Sequence, residues 1–253
     1  MTGLETTQDA WLGGRLTILQ PANSYRIAID AALLAAYVSL KPGSRALEFG
    51  SGVAAAALAL ALRFPEAAID AVELQPELAA LGRRNVAAND LGHQIRIFEG
   101  DVLNPPTERQ AYDAIFFNPP YLTPEANDLS PDPVKKIATV EGPARLKDWL
   151  AAAAKSGKPG AAVTLIHRAD RLADAIVAAN VSGINVHTII PIWPKVGAQA
   201  HRVIIIGNTG KARRLVMEAG VTVHNSDGSY TAAVARILDG RFLEETADQS
   251  RMA

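Results

Sequence analysis

Between residues 45 and 117 the chain alternates short apolar runs with longer stretches of helical spacing, and this alternation restricts the fold more than any other feature. "RALEF", "AAIDAVEL", "QIRIFEGD" and "YDAIFF" read as buried strands, while "GSGVAAAALALALRFP" and "PELAALGRRNVAANDLG" read as helices, the second opening on proline and closing on glycine. Strand, helix, strand, helix, strand implies right-handed crossovers and a parallel sheet with helices on both faces. Before it, "IDAALLAAYVSLKPG" has helical spacing and stops at Pro42 and Gly43. After it, "ARLKDWLAAAAKSG" and "RADRLADAIVAAN" read as helices and "KPGAAVTLIH", "INVHTIIPIW" and "AHRVIIIG" as strands, with "PKVGAQ" as a hairpin-like connection between the last two. The tail predicts one more strand, an Asp-Gly turn and a helix capped by Ser229 or Thr231. The expected fold is α/β, with one seven-stranded, mostly parallel sheet.

Composition excludes several classes. With 253 residues, 49% of them apolar, the chain has material for a single large domain over residues 1–253, and no linker or repeat divides it. A formal charge of −1 gives no global attraction to a polyanion, so nucleic-acid binding would rest on local basic patches. The absence of cysteine removes disulfides, thiolate nucleophiles and cysteine-ligated zinc. His93, His167, His187, His201 and His224 stand at no metal-ligand spacing, and no metal is expected. No signal segment and no apolar run long enough to span a bilayer is present, so a cytoplasmic protein without membrane contact is expected. The segment 122–143 has no clear periodicity, and a connection of that length is commonly functional or disordered. No oligomeric preference is legible, because an Ala-rich helix face serves a core as readily as an interface.

Gly50-Ser51-Gly52-Val53-Ala54-Ala55 fits the loose pattern G-x-G-x-x-G/A of nucleotide-binding turns, which by itself is equally a tight strand-to-helix turn. Charge narrows the ligand. A pyrophosphate at this helix start would lie near the Glu48 carboxylate at an electrostatic cost. S-adenosylmethionine carries a sulfonium and an ammonium and no phosphate, so acids suit it. Glu73 follows the second strand and Asp101 the third. Glu73 can accept from both ribose hydroxyls and Asp101 from an adenine amino group. Singly, each acid reads as a loop or cap residue; together, at the carboxyl ends of successive strands, they read as a binding site.

"NPPY", Asn118 to Tyr121, ends the fourth strand at the same edge. As a tetrapeptide it is ordinary turn punctuation. Placed there, the Asn118 side-chain oxygen and the Pro119 carbonyl can accept the two hydrogens of a planar NH₂ group, aim its lone pair and stabilise the positive charge that builds on nitrogen. The prolines stiffen the backbone and Tyr121 offers a stacking face. A neutral amine needs no strong base, whereas a hydroxyl acceptor usually needs a base or metal.

Together, "EFGSG", "VELQPELAALGRRNVAAND", "GD" and "NPPY" resemble the class I, Rossmann-like, S-adenosylmethionine-dependent methyltransferases with a "small" methyltransferase domain. "LGGRLTILQPANSYRIAIDAALLAAYV" and "VTVHNSDGSYTAAVARIL" further resemble the bacterial tRNA(Val) adenine N6-methyltransferase family. The resemblance implies that Glu48, Gly50 and Gly52 line the methionine end, Glu73 the ribose and Asp101 the adenine, with Asn118 and Tyr121 at the target amine. It implies too that residues 1–44 form an extension in which Arg26 and Asp30 help cover the cofactor; read alone, these two are equally an Arg-Asp pair capping the first helix. Three departures stand out: Glu48 where an Asp is usual, Ala54 in place of the third glycine, and "SYRIAID" in place of a more glycine-containing stretch. Among the cations, Lys135 and Lys136 follow "NPPY" most closely and are the expected contacts to a tRNA substrate. The alternatives are the same chemistry on a protein glutamine amide and O-methylation of a small molecule.

Overall fold

The computed structural model of the protein describes residues 5–23, 26–121, 136–137 and 139–242. The chain opens with an antiparallel hairpin, β1 (Thr6–Trp11) and β2 (Leu16–Pro21), followed by α1 (Ile29–Tyr37). The alternating core follows as β3 (Arg45–Phe49), α2 (Ala55–Arg63), β4 (Ala68–Glu73), α3 (Pro76–Ala88), β5 (Ile95–Glu99) and β6 (Tyr112–Phe117). Then come α4 (Leu146–Ser156), β7 (Gly157–Arg168), α5 (Leu172–Val181), β8 (Asn185–Lys195), β9 (Arg202–Asn208), β10 (Val216–Met217), β11 (Val221–His224) and α6 (Ala232–Leu238).

The seven expected strands run in the order β5-β4-β3-β6-β7-β9-β8, and the short β10 and β11 both pair with β8, making a nine-stranded sheet among the described residues. Only β9 is antiparallel to its neighbours β7 and β8; the other pairings in this sheet are parallel. The central strands are buried on both faces, which is why β3 and β6 read as continuous apolar runs. α1, α2 and α3 cover one face and α4 and α5 the other. From β3 the chain winds outward through β4 and β5, then returns to place β6 on the other side of β3. A crevice therefore opens beyond the carboxyl ends of β3 and β6, where the winding reverses.

At the opposite end of the sheet, buried Asp70 on β4 accepts from Tyr112 Oη on β6 at 2.7 Å, from Arg96 Nε on β5 at 2.8 Å and from Arg45 on β3 at 3.3 Å. One carboxylate thus ties four neighbouring strands together, away from the crevice. Thr231 caps α6, accepting from Val234 N, which settles the Ser229 or Thr231 choice.

The hairpin has no counterpart in the sequence reading. It is fastened by α3: the Asn85 side chain accepts from Leu19 N at 2.7 Å and donates to Leu19 O at 2.9 Å, and Asn89 does the same with Thr17 at 2.9 and 2.7 Å. Two carboxamides one helical turn apart thus satisfy the free edge of β2 as a neighbouring strand would. No helix among the described residues is long and apolar enough to cross a membrane.

Candidate active site

A cavity of about 610 Å³ fills the crevice. Its walls come from α1, the turn after β3, the ends of β4 and β5, the start of "NPPY", residues 136, 137 and 140–144 and Trp149 of α4.

The turn after β3 is shaped by backbone needs. Gly50 and Gly52 both adopt left-handed φ values, +65° and +56°, which glycine reaches without steric cost. A Cβ on Gly50 would stand 2.6 Å from the Trp149 ring, so this glycine also lets α4 close over the cavity. Gly50 N and Ser51 N donate to Val72 O at 2.8 and 3.1 Å, and Gly52 N donates to Glu73 Oε2 at 2.7 Å. Ala54, in the third glycine's place, is held at φ +67°, where its methyl is tolerated at a strain of roughly 1 kcal/mol.

Five carboxylates line the cavity, Asp30, Glu48, Glu73, Asp101 and Glu141, against one cation among the described lining residues, Lys136. Glu48 is buried and accepts from Ala57 N at 3.0 Å in the first turn of α2; burial pushes its carboxyl well above the usual range, and nearby Glu73 adds to the rise. Burial likewise raises Glu73, whose second oxygen accepts from Gln75 N at 2.8 Å. The Glu73 carboxylate, with two lone pairs on each oxygen, keeps acceptor capacity beyond its backbone bonds. Asp101 accepts from Leu103 N at 2.9 Å. The Ser51 hydroxyl is buried with no partner among the described residues. Acids held at a low-dielectric wall and an unpaired hydroxyl suit a ligand with positive charge and several hydrogen-bond donors, and oppose a pyrophosphate.

The structure brings together most of the residues singled out in the sequence. Glu48, Gly50, Gly52, Glu73, Asp101, Asp30 and Asn118 all line the cavity. Asn118 directly follows the Phe49 and Phe117 pair of β3 and β6, level with Gly50. Pro120 lines the cavity and Pro119 is buried beside it. Tyr121 stands outside the lining: its N–H donates to Thr139 O at 3.0 Å, and its ring carries the Arg202 guanidinium 4.9 Å from the centroid. Lys136 lines the cavity, whereas Lys135 lies outside the described residues.

Arg26 is placed elsewhere. Its guanidinium bonds Asp9 at 3.0 Å and Thr7 at 3.0 Å on β1, because the hairpin brings that acid nearer than α1 does, and it does not line the cavity. Asp30 pairs instead with Arg202 at 3.3 Å, so Arg26 and Asp30 form no mutual cap. Two residues, Glu141 and Trp149, escaped the sequence reading, and Arg202 was legible there only as one of several scattered cations. Glu141, bridged to Arg145 at 3.3 Å and Arg171 at 3.4 Å, sits alone in an aperiodic segment and gave no signal. Arg202 reaches the site from a strand far along the chain. Trp149 was legible only as an apolar position on a helix; it packs on Phe117 at 5.8 Å.

Residues 24–135 match the family model described as "Methyltransferase small domain". The chain is 28% identical over 222 residues, 87% of its length and 91% of the relative's, to a protein of Aeromonas hydrophila named tRNA1(Val) (adenine(37)-N6)-methyltransferase. It is 31% identical over 168 residues, 63% of its length and 65% of the relative's, to a protein of the same name from Porphyromonas gingivalis. Among solved structures, a protein of Agrobacterium tumefaciens described as a predicted O-methyltransferase superposes with a TM-score of 0.70 at 24% identity, over 85% of this chain and 98% of that one. Residues 24–135 thus match the methyltransferase small domain, and the chain folded around them has the fold of the class I methyltransferases.

Proposed function

We propose that the chain is an S-adenosylmethionine-dependent N-methyltransferase that methylates the exocyclic N6 of an adenine in tRNA, working in the cytoplasm. The observation that carries this reading is the position of Asn118 in the wall of an acidic cavity, level with Gly50 at the point where the sheet reverses its winding. The relatives' name supports adenine as the acceptor and a valine tRNA as its carrier.

When bound, the cofactor supplies an electrophilic methyl group on a sulfonium centre. Glu48, Gly50 and Gly52 hold the methionine end, with the raised Glu48 carboxyl recovering its charge beside an ammonium. Glu73 accepts from the ribose hydroxyls on lone pairs left free by Gly52 and Gln75, and Asp101 faces the adenine. Of the extension 1–44, the α1 segment with Asp30 covers the cavity, while the hairpin braces α3 behind it. Asn118 Oδ1 and the Pro119 carbonyl accept the two N6 hydrogens, hold the amine in line and stabilise charge developing on nitrogen. No base has to ionise the acceptor, and the surplus proton passes to water once nitrogen is cationic.

Transfer of labelled methyl groups by the purified protein to total tRNA, to proteins and to small phenols tests the reading. Label in tRNA recovered as N6-methyladenosine, reduced at least about a hundredfold by Asn118→Ala, is expected from loss of a transition-state acceptor. Label in phenols or protein but not in tRNA, with Asn118→Ala as active as the parent, overturns it.

A further inference from the structure

At the mouth of the site two arginines stand side by side. Arg168, the last residue of β7, is directly opposite Arg202, the first of β9, in the antiparallel register. Directly opposed residues project from the same face of a sheet with Cβ atoms about 5 Å apart, and like charges in that arrangement destabilise the pair. Their side chains remain partly open to solvent, 37% for Arg168 and 28% for Arg202. Each guanidinium is steadied by one acid: Arg168 by Asp170, with Nε at 2.9 Å, and Arg202 by Asp30 at 3.3 Å. Both belong to Tyr121's surroundings. Arg202 lies over its ring at 4.9 Å, and Arg168 stands beside Arg202 across the strand pair. Among the described residues, neither Arg202 Nη2 nor Arg168 Nη1 has a hydrogen-bond partner.

We propose that Arg168 and Arg202 form a clamp for a backbone phosphodiester next to the target nucleotide, so that the base is presented to Asn118 and Tyr121 while its phosphate is held at the rim. Two planar forks with free N–H groups match the geometry of a phosphate's oxygens, and an anion between them relieves the repulsion that the strand register imposes. Arg202 reaches both Tyr121 and Asp30, so the phosphate is read beside the stacking face and next to the helix that covers the cofactor cavity. A protein glutamine has no phosphate to place there, so the clamp favours RNA over a protein substrate. This inference rests on the tRNA reading above and adds residues from β7 and β9 to it.

The test measures methyl transfer to tRNA, the salt dependence of tRNA binding, and S-adenosylhomocysteine affinity by calorimetry, for the parent, Arg168→Gln, Arg202→Gln and Arg168→Lys. Each Gln variant is expected to raise KM for tRNA about tenfold and to shrink the slope of log K against log salt by about one. Arg168→Gln is expected to leave S-adenosylhomocysteine affinity within about twofold, and Arg168→Lys to restore the salt slope but only part of KM, since a point charge lacks the fork. Because Arg168, among the described residues, pairs only with a surface acid two residues away, its variant carries the test even if Arg202→Gln loosens α1. If the parent methylates tRNA and Arg168→Gln changes neither KM nor slope, the clamp is overturned and the tRNA reading stands. If the parent methylates no tRNA, both fall together.

Discussion

His167 shows how much one buried side chain can weigh on this fold. It sits on β7, 1% exposed, with both ring nitrogens buried and unpartnered among the described residues. Burial, reinforced by the positive charges of Arg171 and Arg202, lowers its pKa from 6.5 to about 4. The unfolded chain therefore binds a proton that the folded chain refuses between those values. The neutral ring's contribution is intact above pH 6.5 and is lost as pH falls toward about 4. Between pH 7.5 and pH 5 this removes roughly 2 kcal/mol. Urea denaturation at the two pH values should give that loss for the parent and a clearly smaller one for His167→Leu; equal losses would show that His167 is not the group responsible. No pattern around "TLIHR" announced this, since a histidine in a strand reads alike whether or not it has a partner. The cavity acids were legible for the opposite reason. Glu48, Glu73 and Asp101 each fall at or just past the end of an apolar run, and parallel strands bring such ends to one edge. Glu141 and Arg202 join them through tertiary contacts that no local pattern encodes.

Among elements, the hairpin β1–β2 depends on α3 more than on its own sequence. A two-stranded hairpin alone is marginal in water. Here Asn85, fully buried, satisfies both backbone groups of Leu19 and also donates to Val53 O at 3.0 Å, joining the hairpin to the turn that precedes α2. Asn85→Ala leaves these buried groups unpaired and should cost about 2–4 kcal/mol. Asn89→Ala, at a half-buried position, should cost less. Hydrogen exchange reads the difference locally: Asn85→Ala should strip protection from the β2 amides while β3 to β6 keep theirs. Unchanged β2 protection would mean that the hairpin holds itself. The core strands were readable because burial on both faces makes them uniformly apolar. "TTQDAW" and "LTILQP" were not, because their free edge is completed by two asparagines more than sixty residues on. An Asn four residues from another on a helix otherwise reads as a solvated face.

For the molecule as a whole, the cavity is the place where separately folded parts meet. Its lining runs from Ile27 to Trp149 and takes residues from α1, from the strand ends and from α4, and α1 and α4 lie on opposite faces of the sheet. A ligand there binds only when all of them are in place, so its binding energy adds to the stability of the entire unit. S-adenosylhomocysteine at a hundred times its Kd should add about 2.7 kcal/mol. For a chain of this size that raises Tm by roughly 5–10 °C, within one cooperative transition. Gly50 is the position where this coupling is most exposed to damage. In Gly50→Ala a methyl at φ +65° must displace the Trp149 ring 2.6 Å away, pushing α4 from the cavity wall. That variant should lose about 1–3 kcal/mol without ligand and most of the ligand-induced rise in Tm as well. Differential scanning calorimetry with and without S-adenosylhomocysteine measures both. A full ligand shift in Gly50→Ala would show that α4 is not part of the binding wall, and two separate transitions in the parent would show that the two faces of the sheet do not fold as one.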